Sequence, residues 1–203
     1  FGMSKNQALV VGNQNRIRFL QMVSKLPHIK DDDKYPHKFV FGYPGIGKSY
    51  EITNHLKASG AKYLMVTGSV SMFSFGVQLA VINYSNPNQE RLIIFCDDVD
   101  TLVASEASCN QLKSALHGPR RFTYEKSLQS QWTNLSELQK EALRHHQEEG
   151  KMGFSVDCKS MSFILVSNIQ LPTDDEVRIA REKGKGKASL LAHKNAIRSR
   201  CMV

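Results

Sequence analysis

The residues best suited to chemistry form a glycine-rich segment, Gly42–Ser49, with the sequence Gly-Tyr-Pro-Gly-Ile-Gly-Lys-Ser. It fits the pattern G-x-x-x-x-G-K-[ST] without a mismatch, and a predicted strand precedes it while a predicted helix follows. Glycines let successive N–H groups point at phosphates, and the helix adds its positive end. Lys48 would reach the β- and γ-phosphates of a nucleotide, and Ser49 would ligate Mg²⁺. The residues predicted to contact the nucleotide here are Gly42, Pro44, Gly45, Ile46, Gly47, Lys48, Ser49 and Tyr50.

Two carboxylates follow the most apolar predicted strand. Leu92–Cys96 is an unbroken apolar run, which predicts burial of both faces in the middle of a parallel sheet. Asp97 and Asp98 follow it directly, and ligand-facing groups of such sheets lie at the carboxyl ends of strands. Asp97 is therefore predicted to hold Mg²⁺ with Ser49, and Asp98 to polarise the attacking water. Asp100 could share that second role, while helix capping is the alternative for Asp98 and Asp100.

The elements around these residues alternate between strand and helix. Predicted strands cover Phe39–Phe41, Tyr63–Thr67, Leu92–Cys96 and Met161–Val166, and predicted helices cover Ser49–Ala58, Val77–Asn83 and Ser105–Leu116. This alternation predicts an α/β fold, a three-layer sandwich with a parallel sheet. The length of 203 residues suits one domain over 1–203. Residues 118–160, with a polar helix around Ser136–Glu149, are expected to form an insertion.

Two further segments lie upstream and downstream of the glycine-rich loop. The strand Met161–Val166 ends in Ser167 and Asn168, and Val11 and Gly12 precede the loop. In this order the features resemble those of the AAA+ ATPases, a family of P-loop nucleotide hydrolases, from near the N-terminus to the C-terminal end. The resemblance implies that Asn168 contacts the γ-phosphate or orients the water. It also implies that Val11 and Gly12 pack against adenine, and that ATP and Mg²⁺ are the cofactors.

The C-terminal segment His193–Cys201 resembles the arginine-finger box of this family, and its Ser-Arg-Cys is like that of clamp loaders. The resemblance implies that Arg200 stabilises the transition state on the ATP of a neighbouring subunit, with Arg198 in reserve. It implies a homo-oligomer, a ring or spiral for which six subunits are expected. The family's small helical lid would follow Val203, so we expect this sequence to hold the large α/β subdomain without it.

The charge and the aromatic residues indicate what such an ATPase acts on, with a core position as the alternative for Phe73 and Phe75. A net charge of +8 favours a polyanionic partner, and Arg120–Lys126 mixes cations with aromatics. We expect an ATPase that loads onto, moves along or remodels a nucleic-acid complex, in replication of phage or plasmid type, recombination or transposition. One alternative is a protein remodeller gripping polypeptide with Phe73 or Phe75 in a pore. Another is a nucleotide-gated scaffold with little turnover, since Asp98 stands where most of the family carries Glu.

Bulk features exclude other classes. No apolar run approaches the roughly 18–20 residues of a membrane span, and the N-terminus lacks the pattern of a signal peptide. The four cysteines, Cys96, Cys109, Cys158 and Cys201, do not have the spacing of a metal site. They are expected to be buried thiols in a reducing compartment. We therefore expect a cytoplasmic protein without a membrane partner.

Overall fold

Parallel strands form the centre of the computed structural model, which describes residues 17, 18, 21, 37–67, 70–184 and 186–202. The described strands are β1 (His37–Phe41), β2 (Tyr63–Val66), β3 (Leu92–Cys96), β4 (Arg121–Tyr124), β5 (Phe154–Asp157), β6 (Met161–Ser167) and β7 (Cys201–Met202). The main sheet has the order β2-β3-β6-β1-β7, and its strands pair in parallel. Since β7 has two residues, four longer strands carry the sheet. The predicted α/β class with a parallel sheet is confirmed.

Helices cover both faces of this sheet, and two more belong to a smaller unit. The described helices are α1 (Lys48–Ala58), α2 (Met72–Tyr84), α3 (Glu106–Leu116), α4 (Gln129–Trp132), α5 (Glu137–His146), α6 (Asp174–Glu182) and α7 (Ala188–Arg198). Successive strand residues point to opposite faces, so Ile93 and Phe95 pack in one cluster with Ile52 and Leu56 of α1. Their neighbours on β3 face the larger core, which includes buried residues of α2, α3 and α7. The sheet therefore lies between two helical layers.

Residues 118–160 form a second, smaller unit outside the main sheet. β4 and β5 pair antiparallel, and α4 and α5 lie between them in the chain. The unit packs on α2, where a Cβ on Gly76 would lie 2.3 Å from Cε1 of Phe122. Only a glycine allows this close approach, so the position of Gly76 fixes where the small sheet sits. The polar helix expected near its centre is present as α5.

Helices α6 and α7 were not predicted, and they form an antiparallel pair. Asn195 donates to the Pro172 carbonyl at 3.1 Å and Arg198 to the Leu171 carbonyl at 3.0 Å, so the end of α7 meets the start of α6. The end of α6 and the start of α7 therefore lie at the far end of the pair. A capping box of Thr173 and Glu176 begins α6. The spacing of three residues between Thr173 and Glu176 is the sequence signature of a capping box.

A buried histidine joins three elements at the amino end of the sheet. His37 is inaccessible to solvent, and its Nε2 donates to the Leu116 carbonyl of α3 at 2.9 Å. Its Nδ1 accepts from the Phe163 N–H of β6 at 3.1 Å. Burial, and then the nearby Arg120 guanidinium, lower the pKa of His37 from 6.5 to about 3. The ring is therefore neutral at physiological pH.

Two expectations from bulk features can be compared with the described residues. The four cysteines are buried and unpaired, as predicted. Within the described ranges, no helix combines the length and the apolar character needed to cross a bilayer.

Candidate functional site

The glycine-rich loop connects the carboxyl end of β1 to the first turn of α1. Gly45 and Gly47 have φ values of 78° and 84°, in the left-handed region that side chains other than glycine rarely adopt. Gly47 is also the residue that precedes α1. A Cβ on Gly42 would lie 2.9 Å from Cδ1 of Ile46, so the loop folds closely over its own start. The conformation of the loop therefore favours glycine at Gly45 and Gly47.

Lys48 bends back over this loop. Its Nζ donates to the carbonyls of Gly42 at 2.7 Å and Tyr43 at 2.9 Å, and lies 3.4 Å from Oδ1 of Asn168. These partners are neutral oxygens, and the ammonium forms no ion pair with a described carboxylate. The positive charge is therefore available to an anion that enters beside the loop.

Ser49 and Asp97, the two residues predicted to hold Mg²⁺, lie within hydrogen-bond distance of each other. The Ser49 hydroxyl donates to Oδ1 of Asp97 at 2.7 Å, although the two residues come from α1 and from the end of β3. The Asp97 N–H donates to the Val66 carbonyl at 2.9 Å, which fixes the backbone behind the carboxylate. One hydroxyl and one carboxylate oxygen fit Mg²⁺, which keeps several waters and binds substrate phosphates. No cluster of three or more His, Cys, Asp or Glu side chains suited to a metal occurs among the described residues.

Asn168 reaches the same place because of the strand order. β6 lies between β1 and β3, with Ser167 opposite Phe41 on one side and Leu165 opposite Cys96 on the other. The residue after β6 therefore projects between the glycine-rich loop and the carboxylates that follow β3. Asn168 contacts Lys48 and so lies beside the glycine-rich loop.

The two remaining carboxylates have different surroundings. Asp98 is exposed, has a φ of 62°, and makes no hydrogen bond to the described residues. Asp100 begins a 3-10 turn, and its Oδ1 accepts from the Ser167 hydroxyl at 2.5 Å and the Asn168 N–H at 3.0 Å. Asp98 is thus free to contact solvent water, whereas Asp100 is engaged with the end of β6.

Lys48, Ser49 and Asn168 line one open cavity of about 370 Å³ together with Asp97 and Asp98. Its wall comprises parts of the glycine-rich loop, the first turn of α1, Asp97, Asp98 and residues 166–168. Tyr50 lines it too, with 70% of its surface exposed, whereas Ile46 is 62% exposed and lies outside the lining. Gly42 lies outside the lining as well. The expected adenine contacts, Val11 and Gly12, fall outside the described residues.

Arg200 lies far from this cavity. The next residue, Cys201, pairs with His37 at the start of β1, whereas the loop follows Phe41 at its end. Nη1 of Arg200 donates to the Ala196 carbonyl and lies 3.3 Å from the Ser199 hydroxyl, and its Nε has no hydrogen-bond partner among the described residues. Burial, and then the Arg200 guanidinium, lower the pKa of Lys113. The arginine thus sits beside a second cation.

The aromatic residues considered for a pore loop are packed into the structure. Phe75 is fully buried within α2 and meets Phe122 edge to face, with the ring centroids 5.8 Å apart. Phe73 is half-buried, with its ring 5.3 Å from that of Tyr124. Both rings help to hold the small sheet against α2, and Phe75 has no exposed surface with which to contact a polypeptide in this conformation.

The basic and aromatic run Arg120–Lys126 is also largely structural. Arg120 donates to the carbonyls of Ala115 at 3.2 Å and Cys158 at 2.9 Å. The rings of Phe122 and Tyr124 are buried. Bases therefore cannot stack on these two rings in this conformation, whereas Arg121 and Lys126 of the same run are exposed. Alternation of inward and outward residues along β4 could have revealed this.

Comparison of the sequence with protein-family models and with curated proteins finds no match.

Proposed function

We propose that this chain is the ATP-hydrolysing α/β domain of an AAA+ ATPase. The observation that carries the proposal is the meeting of Lys48, Ser49, Asp97 and Asn168 at one edge of a parallel sheet. They come from three elements, and they combine a cation, a magnesium-type oxygen pair and a polar amide. Phosphate binding at a helix N-terminus after a glycine-rich loop provides the physical basis. The unpaired cysteines fit a reducing compartment, so we propose a cytoplasmic location.

The side chains divide the work by position. Lys48 would exchange two loop carbonyls for the β- and γ-phosphates, while Ser49 and Asp97 would hold Mg²⁺. The bound ion would neutralise charge that develops on the phosphates. Asp98, exposed at the cavity, would accept a proton from the attacking water, and Asn168 would orient that water or the γ-phosphate.

The first test compares two lysines of the same helix. Lys48→Ala removes the ammonium beside the loop, while Lys57→Ala removes an exposed lysine from the last turn of α1. We expect Lys48→Ala to abolish MgATP binding in calorimetry with an unchanged circular dichroism spectrum, and Lys57→Ala to bind as the parent does. If Lys48→Ala binds MgATP with parental affinity, the proposed site is wrong.

We further propose that the domain works in a homo-oligomer, with Arg200 supplied to the neighbouring subunit. Arg200 lies at the end of β1 opposite the phosphate loop, which leaves it unable to serve its own cavity. Its Nε has no partner in the described structure, and it lies beside the partly desolvated Lys113. Two neighbouring cations of this kind favour an anionic partner such as the phosphates of another subunit's nucleotide.

Nucleic acid is the proposed partner of the assembly, as the net charge of +8 suggests. The described surface offers a better contact than the run Arg120–Lys126. Arg181, Lys183 and Lys187 are exposed at the far end of the α6 and α7 pair and make no ion pair with described residues. Aromatic side chains are absent from residues 168–202, so contact there would be with phosphates and independent of base sequence.

The salt dependence of binding tests this surface. Lys183→Glu with Lys187→Glu is compared with Lys57→Glu and Lys126→Glu, which changes the net charge equally at exposed sites elsewhere. In titrations of a labelled DNA duplex at several salt concentrations, the first pair should lower the salt slope by about 2. The second pair should leave the slope unchanged. Equal effects of the two pairs would show that overall charge, and not this surface, determines binding.

A further inference from the structure

Asp100 connects the acidic segment to the end of β6 by a compact network. Its Oδ1 accepts from the Ser167 hydroxyl and the Asn168 N–H, and its Oδ2 lies 3.5 Å from Nδ2 of Asn168. Both carboxylate oxygens are therefore used by two consecutive residues. The Val99 N–H also donates to the Val166 carbonyl at 2.9 Å, so the backbone joins the same two segments.

The chemistry of the two neighbours fixes the orientation of the Asn168 amide. A carboxylate only accepts hydrogen bonds and an ammonium only donates them. Nδ2 of Asn168 consequently faces Asp100, and Oδ1 faces Lys48 at 3.4 Å. Reversing the amide would bring oxygen against oxygen on one side and N–H against N–H on the other.

Ser167 supports Asp100 from the inside of the protein. Its side chain is 1% exposed, and its Oγ also accepts from the Ile169 N–H at 2.8 Å. The hydroxyl thus has one donor and one acceptor partner, which holds the carboxylate in a single direction. A carboxylate engaged in this way is poorly placed to accept a proton from the attacking water, which leaves that role to Asp98.

We propose that Asp100 is a positioning residue that holds the Asn168 amide towards the phosphate site, and so sets the rate of hydrolysis without contacting the substrate. The inference rests on the proposed ATPase function. Asp100→Asn keeps the size of the side chain and its acceptor oxygen, but removes the charge and one of the two acceptor positions. The Asn168 amide then loses the group that fixes its orientation.

The kinetic test is a double-mutant cycle. Asp100→Asn should lower kcat roughly 10- to 100-fold with KM unchanged, as expected when a catalytic group is misplaced. If Asp100 acts through Asn168, Asp100→Asn in an Asn168→Ala background should cause no further loss. Independent, multiplying losses would overturn the proposal. Ser167→Ala provides a milder variant that keeps the carboxylate, and it should lower kcat severalfold, again with KM unchanged.

A second measurement needs no hydrolysis. With isotope-labelled asparagine, the side-chain amide signals of Asn168 are assigned by their loss in Asn168→Ala, in protein without nucleotide. Asp100→Asn and Ser167→Ala should shift these signals and speed their hydrogen exchange, whereas Asp175→Asn, at an exposed carboxylate on α6, should leave them unchanged. Unchanged signals in both test variants would overturn the positioning role. If the two variants shift the signals but the parent protein does not hydrolyse ATP, the result counts against the proposed function alone.

Discussion

Arg200 offers the sharpest prediction, because its position leaves the cavity of its own chain out of reach. Cys201 pairs with His37, and the phosphate loop follows Phe41 at the other end of the same strand. Four strand steps separate His37 from Phe41, or about 13 Å, before the loop adds its own length. That span exceeds the reach of an arginine side chain. Arg200→Ala should therefore bind MgATP with parental affinity.

Hydrolysis by Arg200→Ala should nevertheless fall by roughly 10³-fold, the low end for an arginine finger. This corresponds to about 4 kcal/mol of transition-state stabilisation. Arg178→Ala is the matched control, since it removes an arginine from an exposed ion pair on α6. Phosphate release is measured with oligomers confirmed by light scattering. A loss of MgATP affinity would show that Arg200 belongs to its own cavity.

Mixing gives the decisive result. Subunits with Arg200→Ala keep an intact cavity, and subunits with Asp98→Asn keep an intact Arg200. When the two variants are mixed in equal amounts and assemble head to tail at random, about one quarter of the subunit interfaces combine an intact cavity with an intact Arg200. Activity should rise well above that of either variant alone. No recovery in particles shown to contain both variants would refute action between subunits, and Arg198 would be tested next.

Two further predictions concern single groups. Asp98→Asn should bind MgATP but turn it over at least about tenfold more slowly, because the water loses its proton acceptor; parental turnover would exclude Asp98 as the base. His37 should make stability fall with acid, since its pKa is about 3 when folded and 6.5 when unfolded. The contribution is complete above pH 6.5 and declines below it, by about 2 kcal/mol at pH 5, as the unfolded chain takes up a proton. Urea unfolding at pH 7 and pH 5 measures this, and His37→Gln should lose that part of the difference; an unchanged difference would contradict the assignment.

Local patterns predicted the elements that carry the site. Each of these patterns involves residues that are close in the sequence: the glycine spacing of Gly42–Ser49 and the apolar run before Asp97. The strands β1 and β3 and the helix α1 were therefore predicted near their actual bounds. The pairing of Ser49 with Asp97 followed from the rule that ligand groups gather at the carboxyl ends of parallel strands.

Contacts between distant residues could not be predicted in the same way. Asp100 and Asn168 lie 68 positions apart, and nothing near either residue indicates that they meet. The aromatics of α2 and β4 were misjudged for a related reason. Phe75 and Phe122 pack against each other between α2 and the small sheet, so the partner of each ring lies in a segment that is distant in the sequence.

The backbone conformation of Asp98 affects the balance between the stability of the domain and its expected activity. Its left-handed conformation costs residues with a side chain about 1 kcal/mol relative to glycine, and less for Asp and Asn than for most others. Glycine at this position should therefore make the domain more resistant to heat and urea while removing the carboxylate from the cavity. A selection for thermal resistance alone would be expected to recover this substitution. A selection that also requires ATP turnover would reject it. The effects of residue 98 on stability and on turnover can therefore be separated experimentally.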